Sequence, residues 1–140
     1  MSNDRIIEKL NTWIGDSEES NWTAYSPELV AKTILPDFTE DQWEMLKKVV
    51  LLKPEYWQQR CAVSLGEDRS GKAIEILKLL FSESQHLDVQ VMAIYELDWA
   101  EVPIEHQYAA YIKEVIANIP EDEVEPELQR LFSKAESAKI

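Results

Sequence analysis

Residues 57–66 read WQQRCAVSLG, and residues 89–98, which lie 32 positions further on, read VQVMAIYELD. In both stretches an apolar residue is followed four positions later by a small residue, Cys61 or Ala93, and after four more positions by a leucine. A spacing of four places these side chains on one face of a helix, and a small residue there allows a neighbouring helix to approach closely. The two stretches therefore predict a weak internal repeat, in which each helix leads into a second helix.

This pattern resembles the sequence of HEAT repeats, in which a Val-Arg pair is followed by a buried Ala, an Ala-Leu-Gly ending and a second helix. Ser64-Leu65-Gly66 is close to that ending, whereas Trp57-Gln58 replaces the Val-Arg pair and Cys61 replaces the Ala. The second copy has Asp98 at the position of the Gly. The resemblance covers about residues 54–118. It implies a stack of helix pairs, with repeat units at about residues 54–81 and 87–118.

Composition and helix boundaries predict an all-α fold in one domain, residues 1–140. The chain has only 3 Gly and 6 Pro, and its β-branched residues rarely alternate with polar ones, which favours helices over strands. Thr39 and Gln42 match a capping box, Gly66 is expected to end a helix, and Pro103 is expected to begin one. We expect about eight helices, arranged as a HEAT-like α-solenoid or as another helical bundle. They are predicted at about residues 3–14, from 26 to before 36, from 39 through 50, and at 54–65, 70–81, 88–99, 103–119 and 127–138.

Negative charge is concentrated in two blocks of the sequence. The net charge is −13, and residues 82–127 alone carry −11, because they hold 12 acidic residues and a single basic one, Lys113. Residues 16–44 carry −7, whereas residues 45–81 carry +3. Repulsion between like charges lowers the stability of a compact protein. A basic partner that neutralises the charge of residues 82–127 would remove this repulsion, so the larger block favours such a partner. The alternative is an ordinary solvated surface that keeps the protein soluble.

The larger acidic block also contains aromatic residues, which is the pattern of a protein-binding surface. Aromatic side chains supply buried anchors at interfaces, and the surrounding charges favour a complementary partner. For Trp99 the alternative is that it ends a helix against the core. The expected contacts are Asp98, Trp99, Glu101, Glu105 and Tyr108, with Glu83 and Asp88 at the rim.

Catalytic and metal-binding patterns are missing from the sequence. His86 and His106 form no metal-binding spacing, and Cys61 occupies a repeat position that favours a small buried residue. There is no P-loop, GxGxxG or GxSxG motif. We therefore expect no enzymatic activity, no cofactor and no metal site. A HEAT-like DNA glycosylase is the nearest enzymatic alternative, but the net negative charge argues against nucleic-acid binding.

The sequence also predicts where the protein is found. No apolar run approaches the roughly 20 residues that cross a bilayer, and the first residues lack the apolar stretch and cleavage site of a signal peptide. A single cysteine can form no internal disulfide, which is typical of a reducing compartment. We therefore expect a cytoplasmic monomer that binds neither nucleic acid nor membrane.

Small size, helical class, acidity and the missing catalytic patterns together resemble immunity proteins of contact-dependent inhibition and related polymorphic-toxin systems. The resemblance implies a cognate protein toxin, expected to be a basic nuclease, whose cleft or adjoining surface the acidic groups would occupy in place of phosphates. An immunity or antitoxin protein is therefore the leading hypothesis. The alternative is a HEAT-like adaptor or chaperone-type scaffold that binds a host protein through a curved face.

Overall fold

Seven α-helices joined by short connections make up the part of the chain that the computed structural model describes, which is Leu10, Ile14 and residues 26–138. No strand occurs among these residues, so the predicted all-α class is confirmed. The seven helices match the last seven of the eight expected. They are α1 (Ser26–Thr33), α2 (Glu40–Val49), α3 (Glu55–Asp68), α4 (Gly71–Glu83), α5 (Leu87–Ala100), α6 (Ala109–Ala117) and α7 (Pro126–Ser137).

The first expected helix, residues 3–14, lies outside the described residues except at two positions. Leu10 and Ile14 are both helical and both buried in the core. Short 3-10 turns complete the chain between the longer helices. They lie at Leu35–Asp37, Val50–Leu52, His106–Tyr108 and Glu121–Glu123.

The helices alternate between two layers. In one layer α1, α3, α5 and α7 pack each against the next, and in the other α2, α4 and α6 follow in the same order. α3 and α5 are central, and α4 packs against both of them. In α-solenoids, stacked helix pairs alternate between two layers in the same way. The α-solenoid is one of the two architectures expected from the sequence.

Two predicted helix starts are confirmed by their hydrogen bonds. The backbone N–H of Gln42 donates to Thr39 Oγ1 at 3.3 Å, and the backbone N–H of Thr39 donates to Gln42 Oε1 at 2.7 Å, which is the capping box at the start of α2. At the start of α4, the backbone N–H of Ala73 donates to Ser70 Oγ at 3.2 Å. These bonds satisfy N–H groups that have no partner within the helix, and they fix where each helix begins.

The two halves of the sequence repeat are buried to the same extent. Cys61 of α3 and Ala93 of α5 are 2% and 0% exposed, and the apolar residues four positions on either side of them are equally buried. Those flanking residues are Trp57, Leu65, Val89 and Leu97. The repeated spacing therefore marks the core-facing sides of two helices that pack against each other.

The prediction that Gly66 ends a helix is wrong. α3 continues to Asp68, and the helix ends at Arg69, which has a left-handed backbone with φ of 57°. The Arg69 side chain helps to close the helix, because its Nε donates to the carbonyl oxygen of Gly66 at 2.8 Å. Gly66 itself lies within α3 where a side chain from α5 covers it, so its small size serves packing and not helix termination.

The prediction that Pro103 begins a helix is also wrong. α6 begins only at Ala109, after an extended segment and the 3-10 turn that contains His106. Ile104 is buried and Glu105 binds Lys78 of α4, so this segment is held across α4 in a conformation that a helix starting at Pro103 would not allow.

The close packing of α3 and α5 predicts that position 93 tolerates no larger side chain. We expect Ala93→Leu to lower the free energy of unfolding by about 1–3 kcal/mol, because extra methyl groups in a packed core force neighbours out of their preferred rotamers. Urea unfolding followed by circular dichroism measures the change. Ala110→Leu on the exposed side of α6 is the matched control and should change stability little; equal losses in both variants would contradict the packing described here.

Candidate partner-binding surface

Trp99 forms an exposed aromatic platform near the end of α5. Its side chain is 52% exposed, and its ring stacks on that of Tyr95 with centroids 6.0 Å apart and planes inclined by 18°. The two residues are four positions apart, so they lie on the same face of the helix. Trp99 therefore does not end α5 against the core, and the interpretation as a surface residue holds.

Acidic side chains from two parts of the chain lie beside this platform. Glu101 follows the last residue of α5, is exposed, and has a left-handed backbone with φ of 56°. Glu125 and Glu127, at the start of α7, are near Tyr95: burial raises the pKa of the Tyr95 hydroxyl, and the negative charges of these two residues raise it further. We call Tyr95, Trp99, Glu101, Glu125 and Glu127 the Trp99 surface.

α7 also brings positive charge to the edge of the Trp99 surface. Arg130 Nε donates to Asp98 Oδ1 at 3.1 Å and Arg130 Nη2 donates to Asp98 Oδ2 at 2.5 Å. Lys134 Nζ donates to the carbonyl oxygen of Val102 at 2.6 Å. An open depression of about 430 Å³ is lined by Asp98, Trp99, Glu101, Arg130 and Lys134. The Asp98 side chain is only 10% exposed and its charge is already paired, so it offers a partner less than the sequence suggested.

Glu105 and Tyr108 belong to a second cluster, which is built around Lys78 of α4. Lys78 Nζ lies 2.7 Å from Glu105 Oε2 and 5.8 Å from the centre of the Tyr108 ring. Tyr108 packs edge-on against the buried Phe81, with ring centroids 5.2 Å apart. Glu105 also borders a groove of about 500 Å³ between α4 and the segment that contains Ile104. The negative charge of Glu105 is therefore offset within the protein.

Glu83 and Asp88 lie at the opposite end of α5 from Trp99. Glu83 is the last residue of α4 and Asp88 the second residue of α5, and both are exposed. Ten residues separate Asp88 from Asp98, which is about 15 Å along a helix. The structure thus brings Trp99 and Glu101 together with the Asp98 side chain, and it does not bring Glu83 and Asp88 to the same place.

Sequence reasoning missed several members of this surface. Tyr95 could have been found, since an aromatic residue four positions before Trp99 shares its helix face. Glu125, Glu127 and Arg130 could not, because their approach to α5 depends on how α7 packs across it. No local pattern in the sequence encodes that contact.

The described residues contain no cluster of metal-binding side chains, and Cys61 among them is buried. No group of three or more His, Cys, Asp or Glu side chains among them is placed to hold a metal ion. His86 Nδ1 lies 3.3 Å from Glu55 Oε2, and His106 Nδ1 lies 3.2 Å from the carbonyl oxygen of Ala135. Burial raises the pKa of the Cys61 thiol to about 12, which disfavours the nucleophilic thiolate. In the same part of the chain, no helix has the length and apolar character needed to cross a bilayer.

Comparisons with protein-family models, with curated proteins and with solved structures found no significant match to this chain. The resemblances to HEAT repeats and to immunity proteins therefore stay predictions.

The burial of Cys61 predicts an unreactive thiol in the folded protein. Because burial raises its pKa to about 12, the thiol stays protonated at pH 8, and the side chain is also shielded from reagents. A disulfide reagent such as Ellman's reagent should give no fast reaction with the native protein and one equivalent of reaction in urea. Fast stoichiometric reaction of the native protein would contradict this placement of Cys61.

Proposed function

We propose that this protein binds and neutralises a cognate basic protein toxin, a nuclease, and that the Trp99 surface is its docking site. The observation that carries the proposal is the half-exposed Trp99 stacked on Tyr95 and flanked by carboxylates. A contiguous exposed aromatic pair rimmed by polar side chains is typical of a protein interaction site. The HEAT-like family, the cytoplasmic location and the monomeric state belong to the same proposal.

The aromatic platform would supply the anchor of the interface. Trp and Tyr are enriched among the few residues that contribute most of the binding energy, because they bury a large area with little loss of side-chain entropy. The stack on Tyr95 restricts the Trp99 ring before binding, so less conformational freedom is lost when a partner covers it. A pocket on the toxin that accepts an indole ring is the complementary feature.

The carboxylates would supply specificity and fast association. Glu101, Glu125 and Glu127 form no ion pair within 4 Å among the described residues, although Glu127 acts on Arg130 at longer range, so Glu101 and Glu125 are the charges most available to a cationic partner. The net charge of −13 attracts a basic protein at long range and increases the association rate. A nuclease fits this requirement because it must present cationic groups to phosphates.

The proposed interface differs from the sequence hypothesis in its extent. Glu105 and Tyr108 surround Lys78, and Glu83 and Asp88 lie at the far end of α5. We therefore propose Trp99 and Glu101 as the main contacts from the predicted set, joined by Tyr95, Glu125 and Glu127. The Asp98–Arg130 pair would position the edge of the surface.

The partner can be sought by pull-down from the native cell lysate, with washes at low salt and at about 0.5 M salt, which screens exposed charges within a few ångströms. The proposal expects one basic protein, retained near equal stoichiometry, whose nuclease activity falls when this protein is added back. A retained partner without such activity would favour the adaptor hypothesis. Many partners that are lost together in salt would mean that the acidity is ordinary surface charge.

Substitutions on the Trp99 surface should weaken that complex selectively. We expect Trp99→Ala to reduce affinity by about 30-fold, since loss of a central anchor costs about 2 kcal/mol or more. Tyr111→Ala is the matched control, because Tyr111 is an exposed aromatic residue on α6, away from this surface. Glu101→Lys should weaken binding mainly at low salt, whereas Glu114→Lys makes the same charge change on α6. Equal effects of the paired variants, measured by calorimetry, would refute this docking site.

A further inference from the structure

Glu96 of α5 is a buried carboxyl that lies directly on Gly66 of α3. Its side chain is 8% exposed, although it belongs to the most acidic part of the sequence. A Cβ atom at position 66 would lie 2.5 Å from Glu96 Cδ and closer still to Oε1, so only glycine leaves room for this carboxyl. The contact explains why glycine is found inside α3.

The carboxyl has no polar partner among the described residues. No hydrogen bond or ion pair joins Glu96 to another of them, in contrast to Asp98 two positions later, which binds Arg130. Gly66 can offer no side chain, and its carbonyl oxygen already accepts from Arg69 Nε. The carboxyl therefore lies at the edge of the helix contact, where a charged carboxylate would lose much of its hydration without gaining a donor from the protein.

Few charges act on Glu96 from the surrounding helices. Burial, and to a smaller extent the negative charge of Glu67, raise the pKa of its carboxyl to about 7, and the positive charge of Arg69 opposes the rise. Both residues come from the last turns of α3. The cations that face α5 from the other helices are engaged elsewhere: Lys78 of α4 with Glu105, and Arg130 and Lys134 of α7 with Asp98 and the Val102 carbonyl. Lys113 and Glu114 of α6 are exposed.

We propose that the proton on Glu96 controls the position of the last turn of α5, and with it the orientation of the Tyr95–Trp99 platform. Glu96 lies one residue after Tyr95 and three residues before Trp99. The protonated carboxyl fills the space over Gly66. Once ionised it moves out to water, and the last turn of α5 shifts toward α3 because a packed interior does not retain the empty space.

The consequence for binding rests on the proposed function, since it takes the platform to be the docking site. The switch itself does not depend on a partner. When folding raises the pKa of a carboxyl, ionising that carboxyl costs more free energy in the folded state than in the unfolded state. The fold is therefore most stable while the carboxyl keeps its proton. Stability due to the buried carboxyl is therefore present below pH 4.5 and is lost progressively as the pH rises to about 7.

Nuclear magnetic resonance of the free protein tests the switch directly. The Glu96 carboxyl carbon and the Trp99 indole N–H, the latter assigned with Trp99→Phe, are followed from pH 4.5 to pH 8.5. We expect both signals to move with one midpoint near pH 7. In Glu96→Gln the Trp99 signal should stay at its low-pH position, whereas in Glu101→Gln it should still move. A Glu96 midpoint near 4.5, a Trp99 signal that does not move, or a shift that persists in Glu96→Gln would overturn the proposal.

A second pair of variants tests the geometry if Glu96→Gln folds poorly. Gly66→Ala places a methyl group where the carboxyl lies, so the carboxyl is displaced and its midpoint should fall toward 4.5. Gly71→Ala is the matched control, because a Cβ at that position meets nothing within 4 Å. Glu67→Gln should lower the midpoint by a smaller amount, since it removes a neighbouring negative charge. An unchanged midpoint in Gly66→Ala would contradict the contact.

Discussion

The close approach of α3 to α5 holds together the centre of the fold. These two helices are the centre of the layer that also holds α1 and α7, and α4 packs across both. Small residues make the approach possible: Cys61, Ala62 and Gly66 on α3, and Ala93 on α5, are all buried. Bulkier residues at these positions would separate the helices and remove the support on which α4 and α7 are packed.

The contact between α3 and α5 also determines which side chains of α5 are exposed to solvent. α5 is held along its length by buried residues such as Val89 and Leu97, and only its far end presents an aromatic pair to solvent. α7 packs against α5 and brings both carboxylates and cations close to that pair. The Trp99 surface is therefore a product of helix packing, and the acidic sequence block alone does not define it.

Local features of the fold could be predicted from the sequence, whereas contacts between distant segments could not. The capping box at Thr39 and the core-facing residues around Cys61 and Ala93 depend on spacings of three or four positions, which a sequence displays directly. Gly66 was misinterpreted because glycine serves both as a helix terminator and as a site of close approach, and only the Glu96 contact distinguishes the two uses.

In the candidate site, too, local features could be predicted and contacts between distant segments could not. Trp99 and Glu101 are close in the sequence and both belong to the predicted set, but the sequence left open whether the Trp99 ring is exposed or packs against the core. The pairing of Asp98 with Arg130 and of Glu105 with Lys78 joins residues 32 and 27 positions apart, and these pairs change which charges remain available to a partner. Charge counted along the chain therefore overstates how many acidic side chains are left without an ion-pair partner among the described residues.

Site-specific photocrosslinking in the native cell tests whether a basic protein docks on the Trp99 surface. A benzophenone amino acid is placed at position 99 in one variant and at position 111, the exposed tyrosine of α6, in another. If a basic partner docks on the Trp99 surface, the probe at position 99 crosslinks to one basic protein and the probe at position 111 does not. Crosslinking at neither position, or to the same proteins at both, would contradict a docking site at the end of α5.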